Sequence, residues 1–286
     1  MEYFIIFPNQ LFKDTTELKD YDKVLLVEDP LYFSDKERVY KFNAIKLIYQ
    51  RACFKYYEDY LKKKKIKTKY YDFDNYTSLI KKIKKENNGD FYTYDPFDKL
   101  LIKRYKRDLK IEVLDSPHFV DTEEELKEYY KSKKNKLFQT SFYSYQRKEL
   151  DVLLDKKGKP VGGKLTYDTD NRDKLPKEIK IPEPPKFKDN KYIKEARKYV
   201  KKSIPFIGDI EGKILFPTNH EDSLKWYKKF LKDRLKNFGQ YQDAITLKYK
   251  DKPILFHSGI SPAFNVGFLT QQEIVDLIIK EHKNNE

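Results

Sequence analysis

Three small or hydroxyl-bearing residues close together, Ser258, Gly259 and Ser261, stand with Ile260 directly before Pro262 near the end of the 286-residue chain. A hydroxyl residue followed by proline is the pairing expected at a helix start, with Ser261 as N-cap and Pro262 in the first turn. Small residues there let backbone N–H groups approach an anion, so the run fits either a capped structural turn or a phosphate grip. A second candidate, Gly158-Lys-Pro-Val-Gly-Gly163-Lys164-Leu165, approaches the P-loop pattern. Leu165 lacks the hydroxyl that holds magnesium, and the residues after it read as turns, so a tight structural turn is the expectation. Glu28, Asp29 and Asp95 follow strand-like runs, where acids serve a small-molecule site or act as solvated strand ends and helix caps. His118, His220, His257 and His282 are too dispersed for a metal pattern, and no Gly-x-Ser-x-Gly nucleophile elbow occurs.

The elements that must position these residues change character along the chain. Short apolar runs at 3–7, 24–27, 68–73, 91–94 and 111–114 alternate with helical periodicity at 38–65, 76–85 and 97–107. This alternation predicts an α/β domain over 1–116 with a doubly wound parallel sheet, whose ligands bind outside the carboxyl ends of the strands. Residues 117–190 carry a charged helix at 122–131, but Gly and Pro then punctuate the chain too often for regular structure, which predicts a long connector. Residues 191–286 read as helical. Helices are expected at 191–202, after a capping box at Thr218–Glu221, and after another at Thr270–Glu273, where Ile274, Leu277 and Ile278 form an apolar face.

With 24 Tyr and 20 Phe the chain has ample material for a core, despite a charged fraction of 37% and a mean hydropathy of −0.86. A net charge of +14 favours polyanionic partners such as DNA, although AT-rich coding for Lys, Asn, Tyr and Ile produces the same balance. The single cysteine, Cys53, excludes an intrachain disulfide and reads as a buried small apolar residue. No run is apolar enough to span a membrane, and the first residues lack a secretion signal, so a soluble cytoplasmic protein is expected.

Several motifs in order resemble the deoxyribodipyrimidine photolyase-related family, the photolyase/cryptochrome branch that includes iron–sulfur bacterial cryptochromes and (6-4) photolyases. They are Phe7-Pro8-Asn9-Gln10-Leu11, Val27-Glu28-Asp29 with Tyr32, Tyr145–Asp151 with Gly158–Arg172, Tyr241–Ala244, and His257–Leu269. Pro8 and Asn9 depart from that family's usual first loop. The resemblance implies an antenna-type α/β domain holding a ribityllumazine-type pigment, with Asn9, Gln10, Glu28 and Tyr32 as its positions. It also implies the opening of a helical FAD-binding domain, with Tyr241, His257, Ser258, Gly259, Ile260, Ser261 and Asn265 as FAD contacts and the 258–261 run on its phosphates. In the full family, photoexcited reduced flavin donates an electron to a pyrimidine lesion flipped from the duplex.

Members of that family continue beyond the match, and the cysteines of their cluster have no counterpart here, so no iron–sulfur cluster is expected. The expectation is a truncated flavoprotein or one half of a split one, inactive as a lyase unless a second chain supplies the missing helical half. A non-catalytic cofactor- or nucleic-acid-binding protein, either a relict or a light-sensing module, is the alternative.

Overall fold

The computed structural model describes residues 1–38, 40–134 and 136–284, with the side chain of Asn284 left aside. Five strands, β1 (Glu2–Ile6), β2 (Lys23–Val27), β3 (Thr68–Tyr71), β4 (Asp90–Tyr94) and β5 (Glu112–Leu114), form an all-parallel sheet in the order β3-β2-β1-β4-β5. β1 and β2 are buried on both faces along nearly their whole length, as the unbroken apolar runs require in a parallel sheet covered on both sides.

Alternate residues send their side chains to opposite layers. Tyr3, Ile5, Phe7, Leu25 and Val27 pack with Leu79, Ile80 and Ile83 of α3 (Tyr76–Glu86) and with Leu101, Tyr105 and Leu109 of α4 (Lys99–Leu109). Across the sheet, α2 (Ala44–Lys63) sets Phe54 against Tyr70, and its Tyr57 hydroxyl donates to the Phe12 carbonyl. The fold is therefore an α/β doubly wound parallel sheet. A four-residue α1 (Pro30–Phe33) precedes α2, capped by the carboxylate of Asp29. It falls outside the 38–65 periodicity because one turn carries no periodic signal.

The remaining helices are α5 (Glu123–Ser132), α6 (Gln139–Glu149), α7 (Lys191–Ser203), α8 (His220–Asp233), α9 (Leu235–Phe238), α10 (Ser261–Val266) and α11 (Gln271–Asn284). α6 lies in what reads from sequence as connector. α8 is capped one residue later than the sequence suggests: Asn219 Oδ1 accepts the N–H of Asp222, while the Thr218 hydroxyl accepts from Asn190. α10 includes Ser261 as its first residue, with Ile260 before it and no side-chain cap.

The chain divides into two compact units, one of Met1–Phe119, Lys186–Leu224 and Ile260–Thr270, the other of Val120–Pro185, Lys225–Gly259 and Gln271–Glu286. In the first, α7 packs against α2. A buried ion-pair cluster secures that packing. Arg51 of α2 donates to both oxygens of Glu28 at 2.8 Å and to Glu195 of α7 at 2.7 Å, and its guanidinium stacks 3.3 Å from the ring centre of Tyr199. In the second unit, Arg234 is 1% exposed and spends its guanidinium on the carbonyls of Leu255, Pro182 and Glu183.

Candidate functional site

The strand order reverses at β1, so the crevice beyond the carboxyl ends of β1 and β4 is where this architecture places ligands. The loop after β1 is braced across that point. Gln10 is 1% exposed and uses both ends of its amide: Oε1 accepts the Phe7 N–H at 2.9 Å, and Nε2 donates to the Tyr94 carbonyl at 2.6 Å. Asn9 Nδ2 donates to the Pro96 carbonyl at 3.0 Å, and its Oδ1 accepts the Tyr32 hydroxyl at 2.9 Å. Of the four pigment positions named from sequence, Asn9 and Tyr32 line a cavity of about 620 Å³, whereas Gln10 is absorbed by the brace. Glu28 is consumed by Arg51, the Tyr70 hydroxyl and the Phe73 N–H. Burial raises the pKa of its carboxyl, against the pull of Arg51.

The cavity lies wholly within the first unit. Ile45, Ile214, Phe216 and Val266 give it apolar walls, and Lys46 and Lys213 give it cationic groups with no acid among its lining residues. The ammonium of Lys46 sits 4.0 Å from the Phe42 ring centre, and burial, with the Arg38 charge second, lowers its pKa. Gln50 reaches the Tyr32 carbonyl at 3.2 Å. Tyr49 also lines the cavity, is 8% exposed, and its hydroxyl has no hydrogen-bond partner. The Cys53 thiol is its polar neighbour, a weak partner that falls short of bonding geometry. A buried hydroxyl left in this state is costly. Periodicity assigned Tyr49 to the core face of α2; no sequence signal separates a packed tyrosine from one opening on a cavity.

The flavin positions named from sequence fall in both units. In the first, Asn265 lines the same cavity as Asn9 and Tyr32, and Ser261 is exposed. In the second, the Tyr241 ring is 8% exposed and packs against Phe256 at 5.7 Å, with Ile181 and Leu255 around it. His257 approaches the Phe238 ring. The Ser258 carbonyl accepts the indole N–H of Trp226 at 2.5 Å, and Gly259 turns at φ +62° with Trp226 filling the space where a side chain would stand. The near-P-loop is a turn with no helix after it. Asp155 caps the N–H groups of Lys157 and Lys159, and Arg147 gathers the carbonyls of Val152, Leu153, Lys164 and Leu165. Beside it a second cavity, of about 660 Å³, opens between the residues around Asn171 and the Phe238–Gln242 segment.

No helix among the described residues is long and apolar enough to cross a membrane. The profile of the family described as deoxyribodipyrimidine photo-lyase-related protein matches residues 4–214, which include the end of β1, β2 to β5, α2, α7 and the loop carrying Asn9. The chain is 42% identical over 190 residues to uncharacterized protein R852 of Acanthamoeba polyphaga mimivirus, a match spanning 62% of this chain and 96% of that protein. It is 27% identical over 169 residues to the (6-4) photolyase of Agrobacterium fabrum, spanning 58% of this chain and 32% of that enzyme, so the match takes in about a third of that photolyase. The family match runs over the greater part of the chain and over the sheet that builds the crevice: the chain belongs to the deoxyribodipyrimidine photo-lyase-related protein family.

Proposed function

We propose that this protein is a chromophore-holding member of its family, binding a ribityllumazine-type heteroaromatic pigment in the cavity at the carboxyl end of the sheet. The observation that carries the reading is the lining of that cavity, which joins Asn9 and Tyr32 to Tyr49, Lys46 and Lys213 with no acid among them. A pteridine-like ring carries carbonyl and ring-nitrogen acceptors on its edge and two flat faces. Its electron-rich edge suits Lys46 and Lys213, its faces suit the Tyr32 and Tyr49 rings, and a polyol tail suits the amides of Gln50 and Asn43.

The test is reconstitution of the full chain with ribityllumazine, read by near-ultraviolet absorption and pigment fluorescence. One pigment per chain is expected, with Lys46→Met weakening binding by about tenfold, the worth of one lost hydrogen bond. Tyr49→Phe should stabilise the pigment-free protein by about 1 kcal/mol, since it removes an unsatisfied buried hydroxyl. Failure of the pigment to bind at any accessible concentration sinks the reading.

A second reading places FAD on Tyr241, His257, Ser258 and Gly259 of the second unit, in a photolyase-like flavoprotein. It is favoured by the left-handed turn at Gly259 just ahead of α10 and by the (6-4) photolyase relative. Visible flavin bands in the purified chain, weakened by Ser258→Ala, would support it over the first.

A further inference from the structure

The helices of a doubly wound parallel sheet run back against its strands, so their C-termini collect at the amino ends of the strands, opposite the crevice. At that pole α2 and α3 both end beside β3. The end of α3 is fixed there: Glu86 accepts the Tyr71 hydroxyl at 3.0 Å and pairs with Lys69 at 3.2 Å, and Asn87 Nδ2 donates to the same hydroxyl at 2.8 Å. The Lys67 carbonyl, just ahead of β3, accepts the Val24 N–H at 2.9 Å. This junction lays six exposed lysines along one edge of the sheet, Lys63, Lys64, Lys65, Lys67, Lys84 and Lys85. Neighbouring Lys62, Lys69 and Lys82 are spent on Glu58, Glu86 and Asp74, whereas these six ammonium groups have no acid at ion-pair distance among the described residues. Other acids of the pole stand apart, at the starts of β1 and β4. Glu2 and Asp90 are register partners there, and Asp22 accepts the Glu2 N–H at 2.8 Å.

Lysine in a last helical turn serves the helix dipole, but that does not account for lysines continuing past the end of α2. Lys65 stands at φ +61° in a Schellman ending, its N–H donating to the Lys62 carbonyl at 2.9 Å and the Ile66 N–H to the Leu61 carbonyl at 3.1 Å. Such a position favours Gly, so a cation is kept there against the preference of the backbone. The apolar residues between the lysines, Ile66 and Ile83, are buried. The strip therefore has neither the apolar anchor of a lipid-binding surface nor the apolar centre of a protein interface. From this we infer that the β3 edge is a nucleic-acid surface that holds the phosphate backbone without reading sequence, at the opposite end of the sheet from the pigment cavity and independent of it.

Fluorescence anisotropy of a labelled DNA duplex with the full chain, over a range of salt concentrations, tests it. Each phosphate held contributes a slope of about −0.9 in log affinity against log salt. The triple variant Lys63→Gln, Lys64→Gln, Lys67→Gln should make the slope shallower by about 2 to 3, while Lys99→Gln with Lys103→Gln on α4 leaves it unchanged. The discriminating variant is Lys65→Gly. It should weaken duplex binding and make the slope shallower by about 1, yet raise the urea midpoint, so the lost binding cannot come from unfolding. Should the triple variant fail to fold, Lys65→Gly decides alone. A slope that the strip variants leave unchanged, or that the α4 pair reduces equally per lysine, overturns the inference. So does failure to bind duplex at low salt, or binding to phosphatidylserine-containing vesicles in its place.

Discussion

At the scale of single residues, the groups that do not behave as their types suggest are the informative ones. His118 is 7% exposed among Phe12, Phe97, Phe119 and Phe264, and its Nδ1 has no partner. Burial depresses its pKa from 6.5 to about 4. A base depressed in the folded state is protonated first in the unfolded chain, so His118 withdraws stability as pH falls from about 6.5 to about 4, by about 3 kcal/mol in full. Asp29, pushed up to about 6 by burial, works in the opposite direction over an overlapping range, because the folded chain takes up its proton first. The natural protein alone therefore does not isolate either group. The stability gain on His118→Phe does, since Asp29 is common to both proteins. Urea unfolding should show that gain growing between pH 7.5 and pH 4.5, and a gain independent of pH would show that His118 is not the titrating group. Little of this was legible beforehand. The family resemblance marked Glu28 and Gln10 as readily as Asn9 and Tyr32, because a sequence shows which groups can bond and not whether their bonds are already spent inside the fold.

At the scale of elements the sequence is far more transparent. All five strands lie within a residue or two of their expected runs, most plainly β1 and β2, which are buried on both faces and so are apolar at nearly every position. What periodicity cannot reach is the one-turn α1, and α6, whose face of Phe142 and Tyr145 against Tyr129 is made of aromatics within a polar segment. Caps are legible to within a residue, as the shift from Thr218 to Asn219 shows, because neighbouring Thr and Asn can each accept the free N–H groups. One junction of elements controls the pigment cavity. Gly267 ends α10 at φ +89°, and a methyl group there would lie 2.9 Å from the backbone nitrogen of Leu11, whose N–H donates to Val266. Gly267→Ala therefore carries both left-handed strain, about 1 kcal/mol, and a backbone clash that pushes the loop bearing Pro8 and Asn9 from Asn265 and Val266. Gly158 has a similar φ of +71° with nothing near its missing side chain. Alanine at Gly158 should cost about 1 kcal/mol and leave pigment binding intact, while alanine at Gly267 should cost more and weaken the pigment. Equal effects at the two positions would detach α10 from the cavity.

At the scale of the whole molecule, 60 basic residues against 46 acidic ones set a positive field that is independent of either cavity. The sequence left two origins for it open, contact with nucleic acid and genome composition, and they differ in a measurable way. Charge that serves a DNA surface must be gathered where phosphates can meet it. Each phosphate neutralised then releases counterions, so that log affinity falls with log salt at a slope of about −0.9 per contact. Charge that merely reflects codon use is scattered, and much of it is already paired locally, as Lys62 with Glu58 and Lys127 with Glu123 are. Titration of a fluorescent duplex by anisotropy at several salt concentrations separates the two. A family role on DNA predicts a linear log–log plot with a slope of about −4 or steeper, corresponding to several phosphates held at once. A shallow slope with micromolar or weaker binding at low salt would assign the basic balance to composition, and would leave the chain as a holder of small molecules whose positive charge keeps it soluble rather than directing it to DNA.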